Sequence, residues 1–581
     1  MGGVDPAVAH GNVGIREVES YMTTKSWESL YGYKDLPREV VLGRLAYFVK
    51  RQIFRLSMPR RRLFSPLTTT LKVTPPDPWP GNAERGAEIT QRIFDFVDRR
   101  IEDPEPLWFP RGASEAWLTQ LHDFSWLRDL RALGGDQARR KARDLTQSWI
   151  ENHRSWTAHA WGPAIIGRRL ANWLGQYDFF IASADLEFRQ AFIDSAERQA
   201  QHLSRVLPAG LTGATLIGAV KGLTLAGAAI PEGAVWRAKG LELLERELKR
   251  QILPDGGHIE RSPAALMSVL RDLIDIRAAL CAAEIETPPA IEAAIANLAP
   301  LLRLFQHGDG KLALFNGTNE GDSLHIDLVL QRCPGPKRPL MTAPESGFHR
   351  LQASRAVVIV DAGAPPPRGY DTEAHAGTLS FEFSIGRERV IVNCGAQIGP
   401  PDWRQAQRST AAHSTLSLDD RNSSQVVPGN GLGTRPTSVT SRRTDEEGAL
   451  LLETCHDGYR DRMGYLHHRS FYLSGAGDDL RGEDRLEATS ESDAAVALPF
   501  AVRFHLHPEI KTVISQSGNA VLLGTRNSGG WRMLSSGATA SLEPSVYLGD
   551  PEKPRRSQQI VLSGTTKGRD TVIKWAFRKE G

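Results

Sequence analysis

From residue 87 to about 305 the apolar positions recur every three or four residues, stretch after stretch. Trp117, Leu121, Phe124 and Leu127 form one such set; Leu266, Val269, Leu270, Leu273 and Ile276 form another. A period of 3.6 residues places each set on one helix face. It predicts helices over 87–101, 115–133, 136–152, 162–181, 185–206, 211–228, 233–252, 262–283 and 286–305. Gly134-Gly135, Pro208, Pro231 and the turn Pro254-Asp255-Gly256-Gly257 break the pattern with ordinary stop signals. Helices of similar length on short turns pair antiparallel, so a bundle, a solenoid or a closed α/α toroid is expected. No sequence repeat recurs at a fixed period, which disfavours an open array.

Beyond about 310 the period falls to two. Strands are expected near 347–352, 355–361, 378–384, 388–393, 414–419, 450–455, 465–473, 500–506, 511–515, 519–524, 530–534, 558–563 and 571–577. In L-S-F-E-F-S, apolar Leu379, Phe381 and Phe383 alternate with polar positions, the mark of a half-buried strand. Short strands with frequent turns imply an antiparallel β-sandwich. Helices first and strands second mean segregated domains rather than βαβ winding.

The N-terminal side differs. Residues 1 to about 35 read as a loose arm. Arg38 to Arg62 is basic and amphipathic, with Leu42, Leu45, Phe48, Ile53 and Leu56 near helical spacing. A docked helix with a solvated basic face is expected, with membrane-surface binding as the alternative. Residues 64–84, rich in Pro and Thr, form an extended connection.

Composition narrows the class. A chain of 581 residues exceeds one core, and 40% hydrophobic with 24% charged residues is globular. A net charge of +3 gives no general attraction to nucleic acid. Cys281, Cys333, Cys394 and Cys455 are scattered, without a C-x-x-C, so four buried thiols are expected rather than a disulfide framework. No apolar run approaches the roughly 20 residues of a membrane span. No secretory signal is visible at Met1, which makes a cytoplasmic location the default; a different true start would leave a periplasmic one open.

The densest chemistry is Y-D-T-E-A-H, which sets Tyr370, Glu373 and His375 on a loop feeding a strand. This loop stands among other motifs in a fixed order: W-L-T-Q-L-H-D-F-S-W-L at 117–127, W-G-P-A-I-I-G-R-R-L-A-N-W at 161–173, P-D-G-G-H-I-E-R-S-P at 254–263, A-H-A-G-T-L-S-F-E-F at 374–383, R-S-T-A-A-H-S-T-L-S-L-D at 408–419, H-D-G-Y-R at 456–460 and H-H-R-S-F-Y-L at 467–473. Together they resemble the heparinase II/III-like polysaccharide lyases, of which the chain looks like a divergent bacterial member. The resemblance implies an α+β multidomain chain: an N-terminal α/α toroid (an incomplete helical barrel) at 87–330, preceded by the arm, basic helix and linker at 1–86, and a C-terminal antiparallel β-sandwich at 340–581.

It also implies an activity. Members of this family cleave acidic polysaccharides, glycosaminoglycans among them, at uronic acids by β-elimination. A base must take the C5 proton, an acid must protonate the leaving oxygen, and a cation or hydrogen-bond donor must neutralise the uronate carboxylate. The chain departs from the family pattern where these groups are expected. Residues 211–223 carry no Asn-His pair, no tyrosine follows Ser262-Pro263, and Glu373 stands where the first sandwich histidine would be. The catalytic candidates are therefore Glu373, Tyr370, His258 and His375. Arg169, Arg261, Arg408, Trp161, Glu260 and Asn316 are candidates for holding substrate, since a guanidinium binds a carboxylate bidentately. No cofactor is required. By resemblance, His375, Asn393 and His413 match the family's metal position and would hold a structural zinc ion, weakened because Asn393 replaces an aspartate.

Each residue has a plain structural reading too. Glu373 is a solvated carboxylate, His375 a core histidine, Glu260 a partner for a helix N-terminus, Arg169 and Trp161 packing, and Asn316 a turn residue. Three functions remain in play: elimination on an anionic or cell-envelope glycan, a glycan-binding protein that has lost turnover, and hydrolysis by a carboxylate pair on the same scaffold.

Overall fold

The computed structural model of the chain describes residues 36–56, 70–397, 399, 401–446, 448–515, 520–550 and 553–580. The expected arm at 1–35, the end of the basic segment at 57–62 and the start of the linker lie outside the described residues.

The described residues form an α+β chain: an incomplete α/α toroid, then an antiparallel β-sandwich. The toroid centres on the helix Gly213–Ala229, which lacks a polar face and is buried nearly all round. It packs against Pro163–Gly175, Ala234–Gln251 and Pro263–Ala282. Around it lies a core rich in indole rings, with Trp117, Trp126, Trp149, Trp161 and Trp173 all buried.

Two expected helices break for visible reasons. The stretch 87–101 becomes the helix Ala83–Thr90 and a hairpin of Ile93–Phe96 with Arg99–Glu102. Phe94 and Phe96 both turn inward, so the local period there is two. The stretch 115–133 divides at Phe124, whose φ of 60° lies in the left-handed region and ends the helix Glu115–Asp123.

The basic segment forms the helix Arg38–Leu56 and docks by one face. Lys50 Nζ donates to Arg205 O at 2.7 Å, Arg250 pairs with Glu39 at 2.6 Å, and Arg51 lies 5.6 Å over the Trp156 ring. Its other face leaves Leu42, Leu45, Phe48 and Val49 exposed.

The sandwich has two sheets. One orders 539–547, 555–565, 499–506, 388–392, 381–385, 356–361, 348–353 and 342–343, with 416–418 added beside 499–506. The other orders 511–514, 520–524, 530–536, 570–579, 479–488, 465–473, 449–456 and 439–446. Between them Phe381 stacks on Trp575 at 5.5 Å and 6°, ringed by Phe471, Phe504 and Phe577. The buried Arg469 forms a two-point pair with Asp484 at 2.7 and 3.0 Å, and its remaining nitrogen donates to Leu379 O and Ser414 O. That guanidinium pins the loop before Phe381 and the strand after His413 from within. The cysteines are unpaired as expected, but only Cys394 is buried; Cys281 is exposed and the other two are half-buried.

The first sheet faces the toroid. The strand Phe381–Ile385 is therefore buried on both faces rather than one. Its polar side meets His307, which bonds Ser384 Oγ at 2.8 Å and Glu382 Oε2 at 2.9 Å. Arg350 reaches across to Leu304 O and Gln306 O, and Arg261 pairs with Asp361 at 2.5 Å.

Arg261 and Asp361 are each buried, so Asp361→Asn leaves a guanidinium desolvated without a counter-ion; a stability loss of about 3–5 kcal/mol is expected in chemical denaturation. His153, stacked on Trp149, has its pKa pushed down to about 4 by burial. The unfolded chain therefore takes up the proton first, and stability present above about 6.5 is lost as pH falls towards 4. Replacing His153 by Phe should flatten the pH dependence of unfolding in that window by about 1.4 kcal/mol per pH unit, the worth of one proton.

Candidate functional site

The site forms where the toroid turn 254–262 meets the sandwich loop 369–376. The turn is shaped by Asp255, whose carboxylate accepts Gly257 N–H at 2.9 Å and both the N–H and the hydroxyl of Ser346 at 2.7 Å. Gly257 is needed there, because a Cβ would fall 1.9 Å from Ser346 Oγ. The turn is thus tied to the first residues of the sandwich. Arg261 continues the tie: its Nε donates to Ser346 O at 2.6 Å, and its guanidinium lies 4.7 Å over Phe348.

Asn316 joins the two sides by its amide. Its Nδ2 donates to Arg261 O at 2.8 Å, and its Oδ1 accepts the His375 N–H at 2.9 Å. The next residue completes the contact, since Gly317 N–H donates to His375 Nε2 at 3.1 Å. From the other side, Thr212 Oγ1 donates to Gly369 O at 2.7 Å.

His375 and His413 come together as the motifs imply. With Nε2 accepting from Gly317, His375 carries its proton on Nδ1 and donates to His413 Nε2 at 3.0 Å. His413 in turn donates from Nδ1 to Ser409 O at 2.7 Å. Burial holds both rings neutral, His413 down to about 4 and His375 well below its usual value. Zinc does not fit this arrangement. All four ring nitrogens are engaged, and Asn393, a neutral amide whose Oδ1 already accepts Ser414 N–H at 3.0 Å, supplies no anionic ligand. Among the described residues no group of three His, Cys, Asp or Glu side chains gathers to hold a metal.

Several expected roles change. His258 is buried, with Nε2 on Gln251 Oε1 at 3.0 Å and its pKa pushed down to about 3, so it holds the turn rather than moving a proton. Glu373 is exposed, and its carboxylate is paired with Arg404. Arg169 lies in the toroid core, donating to Gln199 Oε1, His122 O and Ala160 O and stacking 3.9 Å over Trp149. Trp161 is buried as well. Arg408 donates to Ala374 O, Asn430 O and Gly431 O, and so braces the loop from behind. Arg261 is committed to Asp361, and both ends of the Asn316 amide are used. None of these five side chains is free to grip a substrate.

Three residues do face the junction. Glu260 is half-buried, and its Oε1 accepts Ala214 N–H at 2.9 Å, at the N-terminus of Gly213–Ala229. It therefore favours a helix N-terminus other than that of the helix following it in sequence. Gly213, at φ +60°, makes this possible, since a Cβ there would lie 1.6 Å from Oε1. Oε2 has no partner among the described residues. Burial pushes the Glu260 pKa up to about 7, against the Ala214 hydrogen bond, and the nearby Glu373 charge pushes the same way. Tyr370 lies against Arg250; burial, then the Glu247 charge, raises its pKa. Arg404, on the short helix Pro401–Gln407, is exposed with its guanidinium on Glu373. Nothing in the sequence marks Arg404 or Arg250, because an isolated arginine carries no pattern; only the position of Arg404, four residues before Arg408 and the R-S-T-A-A-H segment, gives a signal.

Comparison with known proteins places this geometry. Residues 103–294 match the heparinase II/III N-terminus, and residues 335–576 match the heparinase II/III-like C-terminal domain. FtsZ-localized protein C of Caulobacter vibrioides is 30% identical over 569 residues, covering 93% of this chain and 96% of that protein. Heparin-sulfate lyase of Bacteroides stercoris is 30% identical over 119 residues, 20% of this chain and 17% of the lyase. In fold, the crystal structure of heparinase III aligns at a TM-score of 0.69 with 15% identity, covering 98% of this chain and 92% of that one. Heparan sulfate lyase HepC from Pedobacter heparinus aligns at 0.58 with 16% identity, over 98% and 91% of the two chains. With both halves matched and the fold shared end to end, the chain belongs to the heparinase II/III-like family, a family of polysaccharide lyases.

Proposed function

We propose that this chain cleaves a uronate-containing anionic glycan by β-elimination, at the junction of the toroid turn and the sandwich loop. The observation that carries the reading is Glu260, a half-buried carboxyl with a pKa of about 7, one oxygen on Ala214 N–H and the other without a partner among the described residues, within the field of Glu373, which holds the exposed Arg404. A general base works best when its pKa lies near the working pH. Ionised Glu260 takes the C5 proton of the uronate. The C5–H electron pair becomes the C4=C5 double bond, the C4–O bond breaks, and the carboxyl returns the proton to the departing oxygen. Arg404 exchanges Glu373 for the uronate carboxylate and neutralises it, which makes the C5 proton acidic enough to leave. Glu260 thereby does work for which the family pattern supplies an Asn-His pair and a tyrosine that this chain lacks.

That same lack favours a second reading, a glycan-binding protein without turnover. A panel of uronate polysaccharides watched for the ultraviolet absorbance of the unsaturated product separates the two. New absorbance is expected. Binding without product would leave the second reading, and reducing ends without absorbance would mean hydrolysis instead.

Two further outcomes test the residues. kcat/KM should rise with pH through about 7, because the ionised carboxyl is the active form, and Glu260→Gln should lower kcat by about 100-fold or more. An unchanged rate in that variant would remove Glu260 from the mechanism. Arg404→Ala should cut kcat/KM by roughly 10- to 100-fold, the loss of a charge-assisted hydrogen bond to the substrate.

A further inference from the structure

On the side of the sandwich away from the toroid, the outer face of the eight-stranded sheet carries a trough of about 450 Å³. Its origin is a size difference between neighbours in register. Ala576 lies between Leu534 on one strand and Arg481 on the other, and Arg481 is opposite Tyr472. Two residues away along the same strand stand Lys574 and Arg578. A single methyl group is thus walled by five long side chains, which leaves a hole where a flat outer face would be continuous. Ser470 and Ser536 deepen its edges and Gly482 its floor.

The lining has the chemistry of a sugar site. Arg481, Lys574 and Arg578 set three positive charges against the single carboxylate of Glu483, which lies 3.6 Å from Lys574. Asp479, beside the trough, holds Arg481 at 2.6 Å and Arg578 at 3.3 Å; with it counted, the patch keeps one net positive charge. Arg481 also lies 5.3 Å over the Tyr472 ring, so its fork is oriented before any ligand arrives. The hydroxyls of Ser470, Ser535 and Ser536 have no protein partner among the described residues. Hydroxyls and a carboxylate suit sugar hydroxyls, guanidinium and ammonium groups suit an anionic substituent, and Tyr472 with Leu534 offers an apolar wall.

We infer that this trough is a second binding site for acidic saccharide units, separate from the elimination site; the identity of the ligand rests on the anionic-glycan reading above. One polymer cannot lie straight through both sites, because they are on opposite sides of the sandwich. The trough therefore holds a neighbouring chain or a distant loop of the same chain, and raises the local concentration of polymer at the enzyme.

The test uses the full-length protein in a Glu260→Gln background and titrates a heparan sulfate hexasaccharide and an unsulfated oligouronate of equal length by calorimetry. Two sites per chain are expected for at least one of the two. Adding Arg481→Ser and Arg578→Ser should remove one site and leave the other, with the unfolding midpoint checked to show an intact fold. In the active background the same pair should raise KM on polymer roughly threefold to tenfold while leaving kcat/KM on the hexasaccharide unchanged. Unaltered stoichiometry and unaltered polymer KM in a folded variant would overturn the proposal. Binding that depends on Arg481 and Arg578 in a protein that forms no unsaturated product would leave the trough standing and remove the lyase reading alone. A wild-type chain that binds neither saccharide would overturn the trough.

Discussion

The buried pair of Arg261 and Asp361 is the contact on which the arrangement of the site depends. It joins the last residues of the toroid turn to a strand of the sandwich, in a setting where both side chains are buried. A pair so placed adds little net stability, yet losing one partner is costly, so it acts chiefly to specify one geometry. Phe348 packs under the guanidinium, and the Ser346 and Gly347 carbonyls accept from Nε and Nη2. With the turn so fixed, Glu260 comes to the N-terminus of Gly213–Ala229, and the Arg261 carbonyl receives the Asn316 amide that positions His375.

This junction uses most of its polar residues to hold shape. His258, His375 and His413 are all neutral through burial, and all three act as hydrogen-bond struts. Arg261 and Arg408 face inward. The groups left with unspent chemistry are those that burial reaches only in part: Glu260, perturbed yet not locked, Tyr370 on Arg250, and Arg404 at the surface. In a lyase the proton-moving group needs that intermediate state, desolvated enough to shift but free enough to transfer.

Legibility in the sequence varied with the strength of the local period. The strand Tyr465–Leu473 is the one expected, residue for residue, because alternation there is unbroken. Asp479–Ala488 and Val439–Glu446 went unseen: D-L-R-G-E-D-R-L-E-A and V-T-S-R-R-T-D-E put so much charge on their outer faces that the apolar half of the alternation is thin or absent. The same outward charges of Asp479–Ala488 supply the rim of the trough. The clean alternation of L-S-F-E-F-S implies a half-buried strand, yet the polar side that carries Glu382 faces His307 and the toroid. Alternation reports two different faces and does not say what covers each.

The order of domains, the helical and sheet character of each, the family membership and the meeting of His375 with His413 were all legible in the residues. These are properties of local period and of motif order. The role of each polar residue depended instead on contacts between segments far apart in the chain. Glu260 finds Ala214 46 residues back, Arg261 finds Asp361 100 residues on, and Glu373 loses its catalytic promise to Arg404. Desolvation and charge pairing set what an ionisable group can do, and both depend on which distant segments fold around it.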